Sequence, residues 1–361
     1  MSITTETGKR VVSLDASPTL RRVGVLTGGG DCPGLNPAIR AVVGRLEYYG
    51  VDALGIEEGW LGLLEQKVRP MTYPDVEEIL SLGGTVLGTS RTNPLRSHEQ
   101  MQTLLDNTSQ LGVDALVAIG GDDTLSVAAE LASLGIRVVG VPKTMDNDIP
   151  ETDYTFGFDT AVSISVEAIE RLRDTGRSHR RIMVLEVMGR YAGWVALWAG
   201  LAGGADWIGI PEVQIDLDEM CDHLRELRER GKRYAVVVTS ESVTLPGLAQ
   251  DISTRDEFGH EQLARRGVAH FLAQHIEHAT GIETRSTVIG HTQRGGSPTV
   301  FDRILATRMG IAAVDMLISG EHGKMVALQQ NEMVGVELQK ISGRQKLVPP
   351  ELYATARTFF R

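Results

Sequence analysis

The strongest constraint on the fold is a repeated alternation between short apolar runs and stretches with helical spacing. The apolar runs predict strands at Val23–Thr27, Ala115–Ile119, Val138–Val141, Ile182–Val187, Ala235–Thr239 and Thr287–Ile289. The clearest helical pattern, residues 160–176, carries one apolar face and is expected to stop at Gly176. Because strands and helices alternate, the sequence predicts an α/β fold whose sheets are mainly parallel and covered by helices on both faces.

Five of the predicted strands run directly into segments that combine glycine with carboxylate or basic side chains. In chain order these segments read GGGDCPGLNPAIR, GGDDT, PKTMDND, MGRYAGW and GHTQRGG. In open α/β sheets, ligands bind just beyond the carboxyl ends of the strands. We therefore expect the five segments to line one crevice that contains the binding site.

The charge balance narrows the class of ligand. The chain of 361 residues has a formal net charge of −11, which argues against nonspecific binding to nucleic acid or to a membrane surface. We therefore expect neither as a partner. An anionic ligand would have to be held by a local cluster of basic residues.

Targeting and redox features point to the cytoplasm. The sequence contains two cysteines, Cys32 and Cys221, so no disulfide framework is expected and a reducing compartment is indicated. No apolar run approaches the ~18 residues that a membrane span needs. Residues 1–20 lack the apolar core of a signal peptide, and we interpret them as a mobile extension. These features together predict a cytoplasmic protein.

Two glycine turns follow predicted strands and have the character of anion sites. The turn Thr27–Gly34 can hold phosphate oxygens against backbone N–H groups. It is not the dinucleotide fingerprint, because Pro33 stands where a third glycine belongs. A tight turn without a ligand is the alternative, and Cys32 is interpreted as a small packing residue. The second turn, GGDDT, carries two adjacent carboxylates, Asp122 and Asp123, which by themselves would repel a phosphate.

The segment PKTMDND gives the sharpest chemical signal. Asp146 and Asp148 flank Asn147 just beyond a predicted strand end. One carboxylate can take a proton from an attacking hydroxyl while the other helps to orient a metal. The alternative is an Asx-rich turn without a catalytic role. Lys143 in the same segment disfavours that alternative, because a turn alone needs no cation.

Two arginines precede strands whose other ends carry basic residues. Arg181 comes directly before the six residues Ile182–Val187, and Arg285 comes before the run STVI. A strand of that length spans ~20 Å at ~3.3 Å per residue. Both arginines therefore lie at the far ends of their strands from the predicted crevice. They are either solvated surface charges or they reach the site of a neighbouring subunit, and the pattern leaves both open.

In combination and order, these motifs resemble the phosphofructokinase family. The match extends from VGVLTGGGDCPGLNPAIR to FDRILATRMGIAAVDML and includes ETDYTFGFDTA, LEVMGRYAGW and GHTQRGGSP. The resemblance implies two Rossmann-like three-layer α/β domains with mainly parallel sheets and an active site in the cleft between them. Residues 21–158 with 293–348 would bind the phosphoryl donor, residues 159–292 would bind the sugar phosphate, and residues 349–361 would form a C-terminal tail.

The resemblance also implies roles for individual residues. Asp146 matches the general base that takes the proton from the 1-hydroxyl of fructose 6-phosphate, Thr144 a contact to the transferred phosphoryl group, and Asp148 a carboxylate that organises the metal. The donor side is matched by Gly29, by Asp122 as the aspartate associated with Mg²⁺, and by Arg91 near the donor phosphates. Contacts to the sugar phosphate are matched by Met188, Gly189, Arg190, Glu241, His291 and Arg294. Arg181 and Arg285 match arginines that reach the 6-phosphate from a neighbouring subunit, which implies a homodimer or homotetramer with shared active sites.

Two departures within the family indicate the phosphoryl donor. ATP-using relatives have glycine at the position of Asp123 and commonly at that of Lys143. A carboxylate at position 123 would lie where the α-phosphate of a nucleotide must pass, whereas Lys143 can bind the phosphates of a shorter donor. This pairing resembles the pyrophosphate-dependent branch, so we predict reversible, Mg²⁺-dependent transfer from pyrophosphate to fructose 6-phosphate, with Asp123 and Lys143 in the catalytic group.

Several alternatives stay open at this point. ATP could be the donor, with Asp123 tolerated or acting as a helix cap. Sedoheptulose 7-phosphate could be the main acceptor. A non-catalytic regulatory subunit that binds sugar phosphates is disfavoured, because Asp146 and Asp148 are both present.

Overall fold

The computed structural model describes residues 20–248, 258 and 266–360. Of the predicted N-terminal extension only Leu20 falls in this range, and its side chain is buried in the core. Residues 1–19 lie outside the described residues. Within the described part of the chain, the strands form one sheet of seven strands and one of four. The fold is therefore α/β with mainly parallel sheets, as the alternation in the sequence predicted.

The larger sheet has a topological switch point at its centre. It contains β1 (Arg22–Gly28), β2 (Asp52–Ile56), β3 (Val68–Met71), β4 (Ala115–Gly120), β5 (Val138–Pro142), β10 (Lys324–Gln329) and β11 (Glu332–Glu337). The strand order is β11-β10-β5-β4-β1-β2-β3. The β2–β3 and β10–β11 pairs are antiparallel and the other pairs are parallel. The chain continues from β1 to β2 on one side while β4 lies on the other, and ligands bind at such points.

The smaller sheet is entirely parallel. It contains β6 (Ile182–Val187), β7 (Trp207–Gly209), β8 (Ala235–Ser240) and β9 (Thr284–Val288), in the order β7-β8-β6-β9. Val187 pairs with Ser240, and Glu186 pairs with Val288. The carboxyl ends of β6, β8 and β9 therefore meet at one edge, and the loops that follow these strands lie side by side.

Helices cover both faces of both sheets. They are α1 (Leu35–Tyr48), α2 (Trp60–Leu64), α3 (Tyr73–Val76), α4 (His98–Gln110), α5 (Asp122–Ser133), α6 (Phe158–His179), α7 (Trp194–Gly203), α8 (Leu217–Glu229), α9 (Val268–Thr280), α10 (Val300–Ile318) and α11 (Pro350–Arg357). Along β1, Val23 and Val25 belong to one buried cluster and Leu26 to another, because successive strand side chains point to opposite faces. The first cluster also includes Leu185 and Val187, so the two sheets share a core. No helix among the described residues is both long and apolar enough to cross a membrane.

The prediction that Gly176 ends its helix is wrong. Helix α6 continues to His179 and ends where Arg180 adopts a left-handed backbone with φ of 60°. Gly176 lies inside the last turns and is buried. A Cβ at this position would lie 3.0 Å from Cγ of Met183, so the glycine allows α6 to pack closely on β6.

The last predicted strand is displaced. The sequence pattern predicted Thr287–Ile289, whereas β9 extends from Thr284 to Val288. Arg285 is therefore inside the strand, paired with Met183 of β6, instead of preceding it. The segment TRSTV contains too few apolar residues to be recognised as a strand. It can form one because β9 lies at the edge of the sheet, where Arg285 and Val288 are exposed.

The C-terminal segment packs against the smaller sheet. Tyr353 of α11 donates its hydroxyl hydrogen to the carbonyl of Ile208 at 2.9 Å. The ring of Phe360 stacks on that of Trp207 with centroids 5.0 Å apart. The proposed division into domains at residues 158 and 292 stays a prediction, although strands β6–β9 all lie between these positions.

Candidate functional site

The ends of β1 and β4 approach each other closely at the switch point. Gly28 pairs in register with Gly120, and Thr124 of α5 packs over both glycines. A Cβ at Gly28 would lie 2.5 Å from Oγ1 of Thr124, and one at Gly120 would lie 2.3 Å from Cβ of Thr124. Glycine is therefore required at both strand ends. Their close packing brings the N-terminus of α5 beside the first glycine turn.

The first turn is tied to the loop that carries Arg91. Gly29 has φ of 77°, which favours glycine, and its N–H donates to the carbonyl of Ser90 at 3.1 Å. Its own carbonyl accepts a hydrogen bond from Oγ1 of Thr89 at 2.6 Å. These bonds place Arg91, which is exposed, next to the glycine turn. A phosphate contact through the Gly29 N–H requires the bond to Ser90 to open.

Asp122 and Asp123 form the first turn of α5, whose N-cap is Gly121. Arg190 lies opposite them: its Nη1 is 3.5 Å from Oδ1 of Asp122, and its Nη2 is 3.7 Å from Oδ2 of Asp123. Burial is the largest single influence and lowers the pKa of the Arg190 guanidinium, but the carboxylates of Asp122, Asp123, Asp146 and Asp148 together outweigh it and raise this pKa. Since Arg190 follows β6 and the aspartates follow β4, the ion pairs bridge the loops of the two sheets.

The segment PKTMDND forms a buried loop held at its base. Lys143 pairs with Phe156 in a parallel bridge. Oγ1 of Thr155 donates to the carbonyl of Thr144 at 2.7 Å, and the Thr144 hydroxyl accepts from the N–H of Asp146 at 3.0 Å. These bonds close the loop into a compact turn beside the ends of β4 and β5.

The turn exposes neither of its carboxylates to bulk water. Asp146 is 5 % exposed and Asp148 is 6 % exposed. Asn147 between them has φ of 53°, a left-handed conformation that asparagine adopts more readily than most residues. Among the described residues, Oδ1 of Asp146 is buried without a hydrogen-bond partner. This oxygen is therefore available to a ligand.

Burial and charge act together on Asp148. Burial raises the pKa of its carboxyl above the usual range, and the carboxylates of Asp146 and Asp122 raise it further. The three carboxyl groups thus repel one another in a site with little water. A cation bound among them would relieve this repulsion.

Lys143 supplies a buried ammonium group to the donor side. It is 3 % exposed, and its Nζ donates to the carbonyl of Gly30 in the first turn. Burial lowers the pKa of this ammonium. This position joins the segment after β5 to the turn after β1, and the role of Lys143 in donor binding stays a prediction.

The loops after β6 and β8 come together on the acceptor side. The backbone N–H of Arg190 donates a hydrogen bond to Oε1 of Glu241 at 3.4 Å. Burial raises the pKa of the Glu241 carboxyl to about 7, with a smaller contribution from the negative charge of Asp146. Met188 and Gly189 precede Arg190 in the same loop, so the structure brings these four predicted sugar-phosphate contacts into one place.

The remaining predicted contacts on this side lie in a short 3₁₀ helix, Gly290–Arg294. His291 is exposed. Nη1 of Arg294 donates to the carbonyl of Asp31 at 3.0 Å, which connects this helix to the first glycine turn. Arg294 thus borders the donor loops as well as the acceptor loops.

Arg181 and Arg285 lie away from these groups, as the strand lengths indicated. Nη2 of Arg181 is 2.8 Å from Oε1 of Glu283. Arg285 pairs with the same glutamate and, at 3.5 Å, with Oε2 of Glu277. Within one chain both arginines are at the opposite ends of β6 and β9 from Met188 and Gly290.

Sequence reasoning missed two buried or partly buried side chains that hydrogen-bond to these loops. Gln293 is fully buried; its Oε1 accepts from the N–H of Met188 at 2.7 Å and its Nε2 donates to Oγ of Ser165 at 2.9 Å. Lys346 lies beside the aspartate loop and donates to Oδ1 of Asn147 at 2.9 Å. The only signal for Gln293 was its place inside the motif GHTQRGG, and nothing in the sequence marked Lys346.

The carboxylates fit Mg²⁺ in charge and donor type. Mg²⁺ prefers oxygen ligands, and it commonly binds through one or two carboxylates while water and substrate phosphates complete its shell. In the described part of the chain, no three acidic, histidine or cysteine side chains converge closely enough to form a complete metal site. The mutual repulsion of the three aspartates is compatible with an ion that needs phosphate oxygens as further ligands.

Comparisons with known proteins agree with this architecture. A crystal structure of a pyrophosphate-dependent phosphofructokinase from Marinobacter aquaeolei superimposes with a TM-score of 0.80, covering 92% of this chain and 86% of that one. Its sequence identity is 22%, so this likeness concerns the fold.

Other relatives have a higher sequence identity to this chain. A pyrophosphate--fructose 6-phosphate 1-phosphotransferase of Dictyoglomus thermophilum is 51% identical over 342 residues, which are 94% of this chain and 98% of the relative. An ATP-dependent 6-phosphofructokinase of Spirochaeta thermophila is 44% identical and covers 94% of this chain and 96% of its own length. The family model described as Phosphofructokinase matches residues 22–317. The chain belongs to the phosphofructokinase family.

Proposed function

We propose that this chain transfers a phosphoryl group from pyrophosphate to the 1-hydroxyl of fructose 6-phosphate, giving fructose 1,6-bisphosphate and phosphate. The observation that carries the proposal is the ion pairing of Arg190 with Asp122 and Asp123, beside the buried carboxylate of Asp146. The higher identity to a relative named for this reaction than to one named for the ATP-dependent reaction supports it.

Asp146 is the proposed general base. Its Oδ1 would accept the proton of the 1-hydroxyl as the oxygen attacks the donor phosphorus, and this atom has no other hydrogen-bond partner among the described residues. Thr144, whose hydroxyl holds the Asp146 N–H, would also contact the transferred phosphoryl group. The hydroxyl and the phosphorus must be held in line, because this reaction depends on positioning more than on covalent help.

Arginine side chains would neutralise the charge that develops on the transferred phosphoryl oxygens. Arg190 is buried enough for its charge to be poorly screened, and its two nitrogens already face carboxylates, so it is held in a defined orientation. Arg91 would act from the donor side, where the Gly29 and Ser90 bonds place its loop. Fixed positive groups of this kind stabilise the transition state without reorganising during the reaction.

Asp122 would hold Mg²⁺, with Asp148 nearby as an orienting carboxylate. When bound, Mg²⁺ would neutralise negative charge on the donor phosphates. Gly29 and Lys143 would hold the phosphate that becomes the leaving group. Burial is the main cause of the raised pKa of Asp148, and the ion would balance the repulsion from Asp146 and Asp122 that adds to it.

Asp123 is the proposed determinant of the donor. A carboxylate ~4 Å from the α-phosphate of a nucleotide would cost about 1 kcal/mol in water and about 4 kcal/mol at an effective dielectric constant near 20. Pyrophosphate has no third phosphate to meet this charge. Lys143 and the metal can neutralise its two phosphoryl groups. Pyrophosphate therefore avoids the electrostatic repulsion that the α-phosphate of ATP would meet at Asp123.

The loops after β6, β8 and β9 would bind the sugar phosphate through Met188, Gly189, Arg190, Glu241, His291 and Arg294. Arg181 and Arg285 would complete the 6-phosphate site from a neighbouring subunit, since both are far from these loops in their own chain. This arrangement requires a homodimer or homotetramer with shared sites. Because the pyrophosphate anhydride releases less free energy in this setting than ATP would, the reaction is proposed to be reversible, serving glycolysis and gluconeogenesis.

The test is a coupled assay for fructose 1,6-bisphosphate with Mg²⁺, comparing pyrophosphate and ATP at equal concentrations. We expect turnover with pyrophosphate, at least ~100-fold lower kcat/KM with ATP, and loss of turnover when EDTA removes the metal. Equal activity with ATP would contradict the role of Asp123. Activity with sedoheptulose 7-phosphate exceeding that with fructose 6-phosphate would replace the proposed acceptor.

A further inference from the structure

Lys346 places its ammonium group against the loop that carries the proposed base. Its Nζ donates to Oδ1 of Asn147 at 2.9 Å, to the carbonyl of Thr152 at 2.9 Å and to the carbonyl of Asp153 at 3.1 Å. An ammonium has three hydrogens, so these three acceptors use its whole donor capacity. The same Nζ lies 5.3 Å from the ring centroid of Trp194, which adds a cation–π contact.

The backbone around Lys346 connects the aspartate loop to the start of α7. The N–H of Lys346 donates to the carbonyl of Asp148 at 2.7 Å. Its carbonyl accepts from Nε1 of Trp194, also at 2.7 Å. Two residues later, the N–H of Val348 donates to Oε1 of Glu212 at 2.9 Å, and the same carboxylate accepts from the N–H of Gly193. Residues 346–348 therefore contact both the aspartate loop and the segment that follows the Met188–Arg190 loop.

Asn147 is the point at which the loop needs support. It is 1 % exposed and its φ of 53° lies in a region that costs free energy for a residue with a side chain. Its Oδ1 accepts from the N–H of Thr155 at 3.2 Å and from Lys346. The left-handed turn at Asn147 sets the direction of Asp146 on one side and Asp148 on the other. A change in this turn would redirect both carboxylates.

We propose that Lys346 is a positioning residue that fixes the orientation of Asp146 through Asn147. Lys346 would touch neither the substrate nor the metal. By holding Asn147, Thr152 and Asp153 together, it keeps the Asp146 carboxylate aligned for the acceptor hydroxyl. This inference rests on the proposed function, because it assumes that Asp146 accepts that proton.

The first test replaces Lys346 by alanine and by methionine and measures pyrophosphate-dependent turnover. Misplacing a catalytic group by ~1 Å costs on the order of 100-fold, so we expect kcat to fall by about 100-fold in both variants. The KM for fructose 6-phosphate should stay within about threefold of the native value, since the sugar-phosphate contacts are untouched. Lys340→Ala is the matched control, because Lys340 is exposed in the same segment, and its kcat should equal that of the native chain.

Chemical rescue separates the ammonium group from a general packing effect. Lys346→Ala leaves space where the side chain lay, so added ethylammonium should restore kcat at least tenfold. Tetramethylammonium at the same concentration carries the charge but no N–H donor, and it should restore nothing. Lys346→Met retains a long apolar stem in that space and should not respond to either cation.

Three results would overturn the inference. The first is a kcat of Lys346→Met within about threefold of the native value. The second is a fall in kcat/KM that comes only from a higher KM, and the third is no increase in the kcat of Lys346→Ala on addition of ethylammonium. If the alanine variant does not fold, the kcat of the methionine variant decides. Amide hydrogen exchange of residues 144–148 gives a readout independent of turnover, and it should speed up in Lys346→Met but not in Lys340→Ala. Faster exchange in a chain that shows no turnover in its native form would leave the positioning role standing and reject the proposed reaction.

Discussion

At the scale of single residues, the adjacent aspartates of α5 are proposed to have different roles although the sequence presents them as a pair. Both face Arg190, at 3.5 Å for Asp122 and 3.7 Å for Asp123. After burial and the charge of Asp146, the charge of Asp122 also raises the pKa of Asp148. This electrostatic coupling supports assigning the metal to Asp122.

Replacing Asp123 by glycine tests its proposed role in donor selection. Asp123→Gly removes both the charge and the volume in the proposed path of the nucleotide, and we expect kcat/KM with ATP to rise by about 10- to 100-fold, equivalent to ~1.4–2.8 kcal/mol. Asp123→Asn keeps the volume and removes the charge, so it should recover only the electrostatic part. Steady-state kinetics with both donors provide the measurement. No gain with ATP in either variant would show that another feature excludes the nucleotide.

At the scale of the elements, the start of α6 depends on a side chain from another helix. Gly157 at the N-cap offers no side chain, and the N–H and hydroxyl of Thr160 donate instead to Oδ2 of Asp302 in α10, at 2.8 and 2.5 Å. Asp302 is completely buried, and its Oδ1 has no partner among the described residues. Burial raises the pKa of its carboxyl to about 6.

This burial predicts a pH dependence of stability. The folded state holds the Asp302 proton more tightly than the unfolded state, so the contribution of this group is fully present below about pH 4 and is lost as pH rises through about 6. Asp302→Asn keeps an acceptor without the charge, and its melting temperature relative to the native chain should therefore increase between pH 4 and pH 7. The expected change in the free energy of unfolding is on the order of 2–3 kcal/mol.

Thermal unfolding at several pH values measures the effect. Asp174→Asn, at an exposed position of α6, should show a nearly constant difference from the native chain. A constant difference for Asp302→Asn as well would mean that the buried carboxyl is not protonated near pH 5.

At the scale of the whole molecule, the two sheets present their carboxyl ends to one another. Arg190 reaches the aspartates of α5, Arg294 reaches the first glycine turn, and residues 346–348 contact loops of both sheets. Arg181 and Arg285 are the predicted site residues that this arrangement leaves at a distance, paired with Glu283. Their proposed roles therefore require a second copy of the chain.

Mixed oligomers test the shared site. An Asp146→Ala chain and an Arg181→Ala chain are each expected to lose turnover. In an isologous mixed pair, one site would carry both substitutions and the other would carry neither. Random mixing should thus restore about a quarter of native activity. Activity that stays at the level of the separate variants, with mixing confirmed by mass spectrometry, would place each site within a single chain.

Several features of this protein followed from the sequence alone. The apolar alternation predicted β1, β4, β5, β6 and β8, and the glycine, carboxylate and basic residues that follow these strands formed the predicted site. These are local properties, since a strand and the turn after it are encoded by neighbouring residues. Predictions from neighbouring residues were wrong at two places. The edge strand β9 is exposed and lacks an apolar pattern. Gly176 allows close packing of α6 on β6 and does not end the helix.

Only the tertiary structure decided how the loops act together. The contacts of Arg190 with Asp122, of Gln293 with Met188 and of Lys346 with Asn147 join residues 68, 105 and 199 positions apart. Their distances depend on how two sheets pack through a shared core, which no local pattern encodes. The reactive groups of each loop therefore come from adjacent residues. Long-range packing sets how these groups are aligned for phosphoryl transfer.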